Sequence, residues 1–215
     1  MSLLTSSPPG ITTVGDLLDS LGGISPDRVR YRPALGTATE QDVIDIEARE
    51  NRLCELVDGV LVEKAMRFNE SYVAGVILMV LNQFVIPRKQ GIVTGADGMM
   101  RLFPGLVRIP DVAFVSRGRL PGGRLSNDAI PSLVPDLAVE VLSEGNTVRE
   151  MTRKRGEYFD AGVRLLWIVD PKLRTVAVYT DPQGPTILDE TQTLTGGTVL
   201  PGFSVAIKSL FEELP

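Results

Sequence analysis

The chain has 215 residues, 43% of them hydrophobic, a formal net charge of −5 and no histidine. That length suits one α/β domain with a short extension better than two full domains. With no histidine and one cysteine, Cys54, there can be no Ser-His-Asp triad, histidine-based zinc site, HEXXH protease or internal disulfide. Any metal site must be built from oxygen ligands, which favours Mg²⁺, Mn²⁺ or Ca²⁺ over zinc. The acidic balance disfavours polyanion binding by bulk electrostatics, so a nucleic-acid function needs a local basic face or bridging metal ions.

The first ten residues lack a basic region followed by an apolar stretch, which predicts no secretory signal; with the lone cysteine this gives a cytoplasmic expectation. "TTVGDLLDSLGG" (12–23) predicts a short helix capped by Thr12 or Thr13 and ended at Gly22-Gly23. The loop-like stretch after it carries Arg28, Arg30 and Arg32. A polar helix is predicted over 39–52, capped by Thr39. "LCELVDGVLVEK" (53–64) is two strand-like runs joined by Asp58-Gly59, a hairpin signal. A helix is predicted from Asn69 to Val85, ended by Pro87; its apolar stretch, 72–86, is too short and too polar for a membrane span of ~20 residues. Short strands follow in "GIVTG", "GMMRLF" and "LVRIPDVAFVS", then a long polar loop over 117–132 with Arg117, Arg119 and Arg124. "PDLAVEVLSEGNT" (135–147) is the next strand, and 147–162 a helix opened by a capping box, Thr147-x-x-Glu150, and closed at Gly162. "VRLLWIVD" and "TVAVYT" are strands, and a strand with a short helix ends the chain. The pattern is a mixed sheet with hairpins and flanking helices.

Glu140 is out of place among Leu137, Ala138, Val139, Val141 and Leu142, because a carboxylate in a buried strand is costly unless paired or bound to metal. The alternative is an edge strand with Glu140 facing water. Asp111 follows Pro110 at the start of "DVAFVS"; if its strand neighbours that of Glu140, two carboxylates converge, which suits Mg²⁺. The next helix returns Lys154 by ~10 Å, at ~1.5 Å per residue, toward Glu140. Two acids and a lysine suit phosphodiester hydrolysis, in which a metal polarises the phosphate and acidifies water while the lysine neutralises developing charge. Against this, Asp111 could simply open a strand, Lys154 could form a surface pair with Glu150, and Glu55 could be a hairpin residue on a solvated face. Tyr158 and Trp167 read as packing residues, Cys54 as a small buried hydrophobe, and Arg117, Arg119 and Arg124 as a solvated loop or a clamp on a DNA backbone.

"CELVDGVLVEK", "PDVAFVS", "PDLAVEVLSEGNT", "KRGEYFDAGVRLLWIVDP" and the terminal "LPGFSV…LF" together resemble the Uma-two family, restriction-endonuclease-like proteins of the PD-(D/E)XK nuclease superfamily, over roughly residues 40 to 211. The resemblance implies an α/β (α+β) domain with a mixed central sheet of four to five strands, flanking helices and β-hairpins, over 39–215. Residues 1–38 stand before it as a helix-and-loop extension. It implies Asp111 and Glu140 as catalytic acids and metal ligands, with Val141 in the ligand set, and Glu55 as a further ligand or orienting group. The superfamily's lysine stands two residues after the second acid; here that position is Leu142, and the resemblance moves the role to Lys154. Many relatives carry a histidine where this chain has "RFNES", with Asn69 and Glu70, and often read Pro-Ser where it has Glu144-Gly145. The expected function is a Mg²⁺- or Mn²⁺-dependent DNA endonuclease acting as a homodimer. The alternatives are a nuclease-fold module that binds nucleic acid or protein without cutting, and a structural or interaction protein.

Overall fold

The computed structural model describes residues 11–214, so the reading of residues 1–10 lies outside the described residues. The elements run α1 (Val14–Ser20), α2 (Glu40–Glu50), β1 (Cys54–Val57), β2 (Val60–Glu63), α3 (Phe68–Arg88), β3 (Gly91–Thr94), β4 (Met100–Phe103), β5 (Leu106–Arg108), β6 (Val112–Ser116), β7 (Leu137–Val141), α4 (Val148–Ala161), β8 (Leu165–Asp170), β9 (Thr175–Tyr179), β10 (Thr186–Leu188), β11 (Thr193–Gly196) and β12 (Leu200–Ala206). Single 3₁₀ turns stand at Pro26–Arg28, Arg117–Arg119, Pro121–Gly123 and Ile207–Leu210.

The central sheet has the order β10-β9-β8-β7-β6-β3, six strands where four or five were expected. Only the β7–β8 pairing is parallel, because α4 is the crossover between them. β12 is the expected terminal strand, but β10 and β11 were missed: β10 is a short, largely exposed strand with no alternating pattern. A second sheet, β2-β1-β5-β4, begins at the Asp58-Gly59 hairpin, whose turn residues both take positive φ, 51° and 71°.

One face of the central sheet packs Leu137, Val139, Val141 and Trp167 against Ile77, Leu81 and Val85 of α3 and Phe203 of β12. The other face sets Ala113, Ala138, Leu166 and Ile168 against Met151 and Tyr158 of α4. α3 spans 21 residues, longer than the stretch its composition marked, and passes the length and composition test for a bilayer span. Its fully buried Val73, Ile77, Leu81 and Val85 lie in the core instead. The helix runs through Pro87, which in the last turn forfeits only its own N–H bond.

Candidate active site

β7 has neighbours on both edges and layers on both faces, so the solvated-edge alternative for Glu140 is wrong: the residue is 5% exposed. β6 pairs with β7 as Val112↔Val139 and Ala113↔Ala138. Extending that register by one residue sets Asp111 opposite Glu140, on the face covered by α4. Along α4, Met151, Lys154 and Tyr158 recur at helical spacing and are all buried, so Lys154 occupies an inward position. Its Nζ lies 3.1 Å from Glu140 Oε2 and 3.1 Å from Glu55 Oε1. Tyr158 donates its hydroxyl proton to Glu140 Oε1 at 2.6 Å.

β7 outruns the paired part of β6, and the side chain of Asp111 takes over as acceptor: Val141 N–H donates to Oδ2 at 2.6 Å. The other oxygen, Oδ1, meets Lys64 Nζ at 2.8 Å, and that ammonium also donates to the Ile109 carbonyl at 2.5 Å. In the second sheet Leu56 pairs with Val107, which sets Glu55 opposite Arg108. Arg108 donates to Glu55 Oε2 at 2.7 Å and to Glu157 Oε2 through Nε at 2.8 Å, and Ile109 N–H donates to Glu55 Oε1 at 3.2 Å. Four acids and three cations thus interlock between the two sheets and α4.

Charge and burial compete here. Burial drives the Glu140 carboxyl above its usual range, and the Asp111 and Glu55 charges add to this against the pull of Lys154. Burial would also raise Glu55, but Lys154, Arg108 and Lys64 overcome it and hold that carboxyl below the usual range. Burial works to lower Lys154, but Glu140 and Glu55 hold it above the ordinary lysine value. Tyr158 is pushed well up, by burial first and then by the same two carboxylates.

The residues present fit a hard divalent cation. The donors are all oxygen: the carboxylates of Asp111 and Glu140, and the Val141 carbonyl, which points to the same side of β7 as its N–H. Burial first, and then the Asp111 and Glu55 charges, disfavour the ionised form of Glu140, which a bound cation would stabilise. Among the described residues no group of three or more acidic, histidine or cysteine side chains is placed to hold a metal. Mg²⁺ needs only one or two carboxylates, the rest of its shell being water. Glu55 is committed to Arg108 and Lys154, which is the arrangement of an orienting group rather than a third ligand.

Several expectations are corrected. Glu55 is not on a solvated face; it is 1% exposed. Lys154 is not a surface partner of Glu150, whose carboxylate is taken by Arg28. The capping box at α4 is only half made: Thr147 accepts from Glu150 N–H, but the Glu150 side chain leaves the helix end. Arg117 is exposed and donates through Nε to the Lys89 carbonyl, while Arg119 donates to the Gly162 carbonyl and pairs with Asp136. Arg124 is exposed. Cys54 is buried, its thiol pushed up to about 11 chiefly by burial. Lys64, Arg108 and the polar role of Tyr158 were missed. Tyr158 was within reach, since it stands four residues after Lys154 on the same helix face. Lys64 carries no comparable local signal.

A cleft of ≈ 1070 Å³ lies next to the site, lined by Leu142 and Ser143 after β7, by Ile168, the β8 partner of Glu140, and by Met151, Arg155, Lys172 and Phe68; Asp111, Glu140, Glu55 and Lys154 do not line it.

A mixed sheet whose neighbouring strands oppose two acids, with a lysine delivered by the following helix, defines a protein of the restriction-endonuclease-like fold. The chain belongs to the Uma2 family, described as "Putative restriction endonuclease", which matches residues 41–208. The fold is also similar to that of a solved structure described as a "putative nuclease belonging to DUF820" from Anabaena variabilis. That match has a TM-score of 0.65 and 22% identity, and covers 74% of this chain and 90% of that one. No curated protein matches the chain.

Proposed function

We propose that the protein is a Mg²⁺-dependent endonuclease that hydrolyses phosphodiester bonds in DNA. The observation that carries this reading is the contact of Lys154 with Glu140, in a buried site where Asp111 opposes the same carboxylate. Asp111, Glu140 and the Val141 carbonyl would hold the ion, which when bound supplies a polarised phosphate and an acidified water. Lys154 stays protonated and is placed to neutralise charge developing on the phosphate or to orient the attacking water. Tyr158 and Glu55 keep Glu140 and Lys154 in place through the hydrogen bond and ion pair they make. The neighbouring cleft carries Arg67, Arg155, Lys172 and Arg174 against Glu70, Glu144 and Asp170, a small local excess of positive charge on an acidic chain. Cutting both strands of a duplex with one site per chain calls for a two-fold dimer in the cytoplasm where the DNA lies.

One observation favours the second reading, a binding module without cleavage: both Asp111 oxygens already have partners, Lys64 and the Val141 N–H. Calorimetry with Mn²⁺ on the wild type and Asp111→Ala, together with nicking of supercoiled plasmid in Mg²⁺ and in EDTA, separates the two. The nuclease reading expects binding and nicking in the wild type and neither in Asp111→Ala. Metal binding without nicking would establish the module.

A further inference from the structure

Residues 11–38 precede the part of the chain that matches the family, yet they reach the catalytic lysine's helix. Leu17, Leu21 and Ile24 bury themselves against Val57, Val60 and Val62 of the β1–β2 hairpin. Val29 bridges to Val62, and Arg30 N–H donates to the Leu61 carbonyl at 2.9 Å. The same segment is stitched to α4. Thr147 Oγ1 donates to the Gly22 carbonyl at 2.5 Å, and Arg153 donates to the Ser20 carbonyl at 2.5 Å. Gly22 lies so close that a Cβ there would come within 2.5 Å of Glu150 Cα. The segment therefore spans the two elements that deliver Lys64 and Lys154.

At its centre, Arg28 makes a two-pronged pair with Glu150, at 3.0 Å and 2.8 Å. It also donates to the carbonyls of Glu63 and Gly145. The two side chains are 11% and 5% exposed, so this is a desolvated pair. Asn146 supplies a further donor to Glu150 at 3.1 Å. Glu150 stands one helical turn before Lys154, both facing inward. Without Arg28, Glu150 would be a buried carboxylate in need of a cation, with Lys154 the next ammonium along its own helix face.

We propose that Arg28 is a positioning residue of the nuclease site: by satisfying Glu150 it leaves Lys154 on Glu140 and Glu55, and the segment before the family's shared core thereby completes the centre. This rests on Lys154 being the catalytic lysine. The test compares crystal structures and Mg²⁺-dependent nicking of supercoiled plasmid for the wild type, Arg28→Met and Arg28→Met/Glu150→Gln. In Arg28→Met the Lys154 ammonium should leave Glu140 for Glu150, and nicking should fall ~10–100-fold, the range for losing an outer-shell group of a metal site. In the double variant, which lacks the competing charge, Lys154 should return to Glu140 and most of the wild-type rate should be restored. A residue that merely staples the segment would leave the double variant as slow as Arg28→Met, and that result overturns the proposal. So does an Arg28→Met protein with Lys154 unmoved and full activity. Should Arg28→Met not fold, the double variant decides: folded with Lys154 on Glu140, it supports the proposal; folded with Lys154 elsewhere, it overturns it. A wild type that nicks nothing would sink the nuclease reading alone, because the position of Lys154 in the variant structures still tests Arg28.

Discussion

At the scale of single residues, Glu140 is held by groups that its own strand does not contain. Tyr158 binds one oxygen and Lys154 the other, both from α4, while Asp111 stands opposite at the start of the neighbouring strand β6. Its raised pKa means that the ionised carboxylate is costly in the fold without a metal. Glu140→Gln keeps an oxygen for Tyr158, removes the repulsion with Asp111 and leaves Lys154 its pair with Glu55. The variant should therefore lose metal-dependent nicking while melting at or above the wild-type temperature in metal-free buffer. A large drop in melting temperature without metal would mean that Glu140 is structural. The oddity of Glu140 and the lysine's return on the next helix were legible in the sequence, because each is a local violation of apolar patterning or a consequence of helix rise. Lys64 and Arg108 were not, because they follow and occupy short strands where a charged residue at an edge or end is ordinary.

At the scale of elements, the short strands depend on close backbone approach. A Cβ on Gly91 would come within 2.0 Å of the Val115 carbonyl oxygen, at the position where β3 pairs with β6 as Gly91↔Ser116. Backbone cannot yield there as the end of a flexible side chain could. Gly91→Ala should push β3 off β6 and destabilise the protein by ~1–3 kcal/mol, the usual cost of overpacking. Urea unfolding monitored by Trp167 fluorescence would measure it, and an unchanged midpoint would show that the strand end simply shifts. Helix ends were legible to within a few residues because their signals are local: Thr13 and Thr39 cap, and Gly162 closes α4 with φ 99°. Pro87 misled because proline stops a helix interior but is tolerated in a last turn, where Lys89 turns left-handed and returns its N–H to the Ile86 carbonyl at 3.1 Å.

At the scale of the whole molecule, Asp136 ties the central sheet together. It is fully buried, accepts from Ser116 N–H at 2.7 Å, and pairs with Arg164 at 2.6 Å and Arg119 at 3.0 Å. Burial would raise its pKa, but the Ser116, Arg164 and Arg119 contacts outweigh burial and lower it below 3.8. A folded-state pKa below the unfolded one contributes stability that is complete above pH 3.8 and disappears as pH falls through the lowered value. Asp136→Asn should therefore melt lower than the wild type at neutral pH, with the gap narrowing at acid pH. Melting curves from pH 7 down to pH 3 test this, and an undiminished gap at the acid end would assign the loss to shape rather than charge.

The sequence by itself determined the family, the order of most elements and the placing of Asp111 and Glu140 on neighbouring strands. Absent histidine limits metal ligands to oxygen, and periodicity and turn residues act over a few positions. Only the tertiary structure decided which cations besides Lys154 join those acids. Glu55 and Arg108 come together across β1 and β5, Lys64 reaches Asp111 from the end of β2, and Arg28 takes Glu150 across 122 positions of chain. Such pairs join charges far apart in sequence, and their choice depends on which side chains the packed sheets exclude from water, a property that no local stretch of the chain carries.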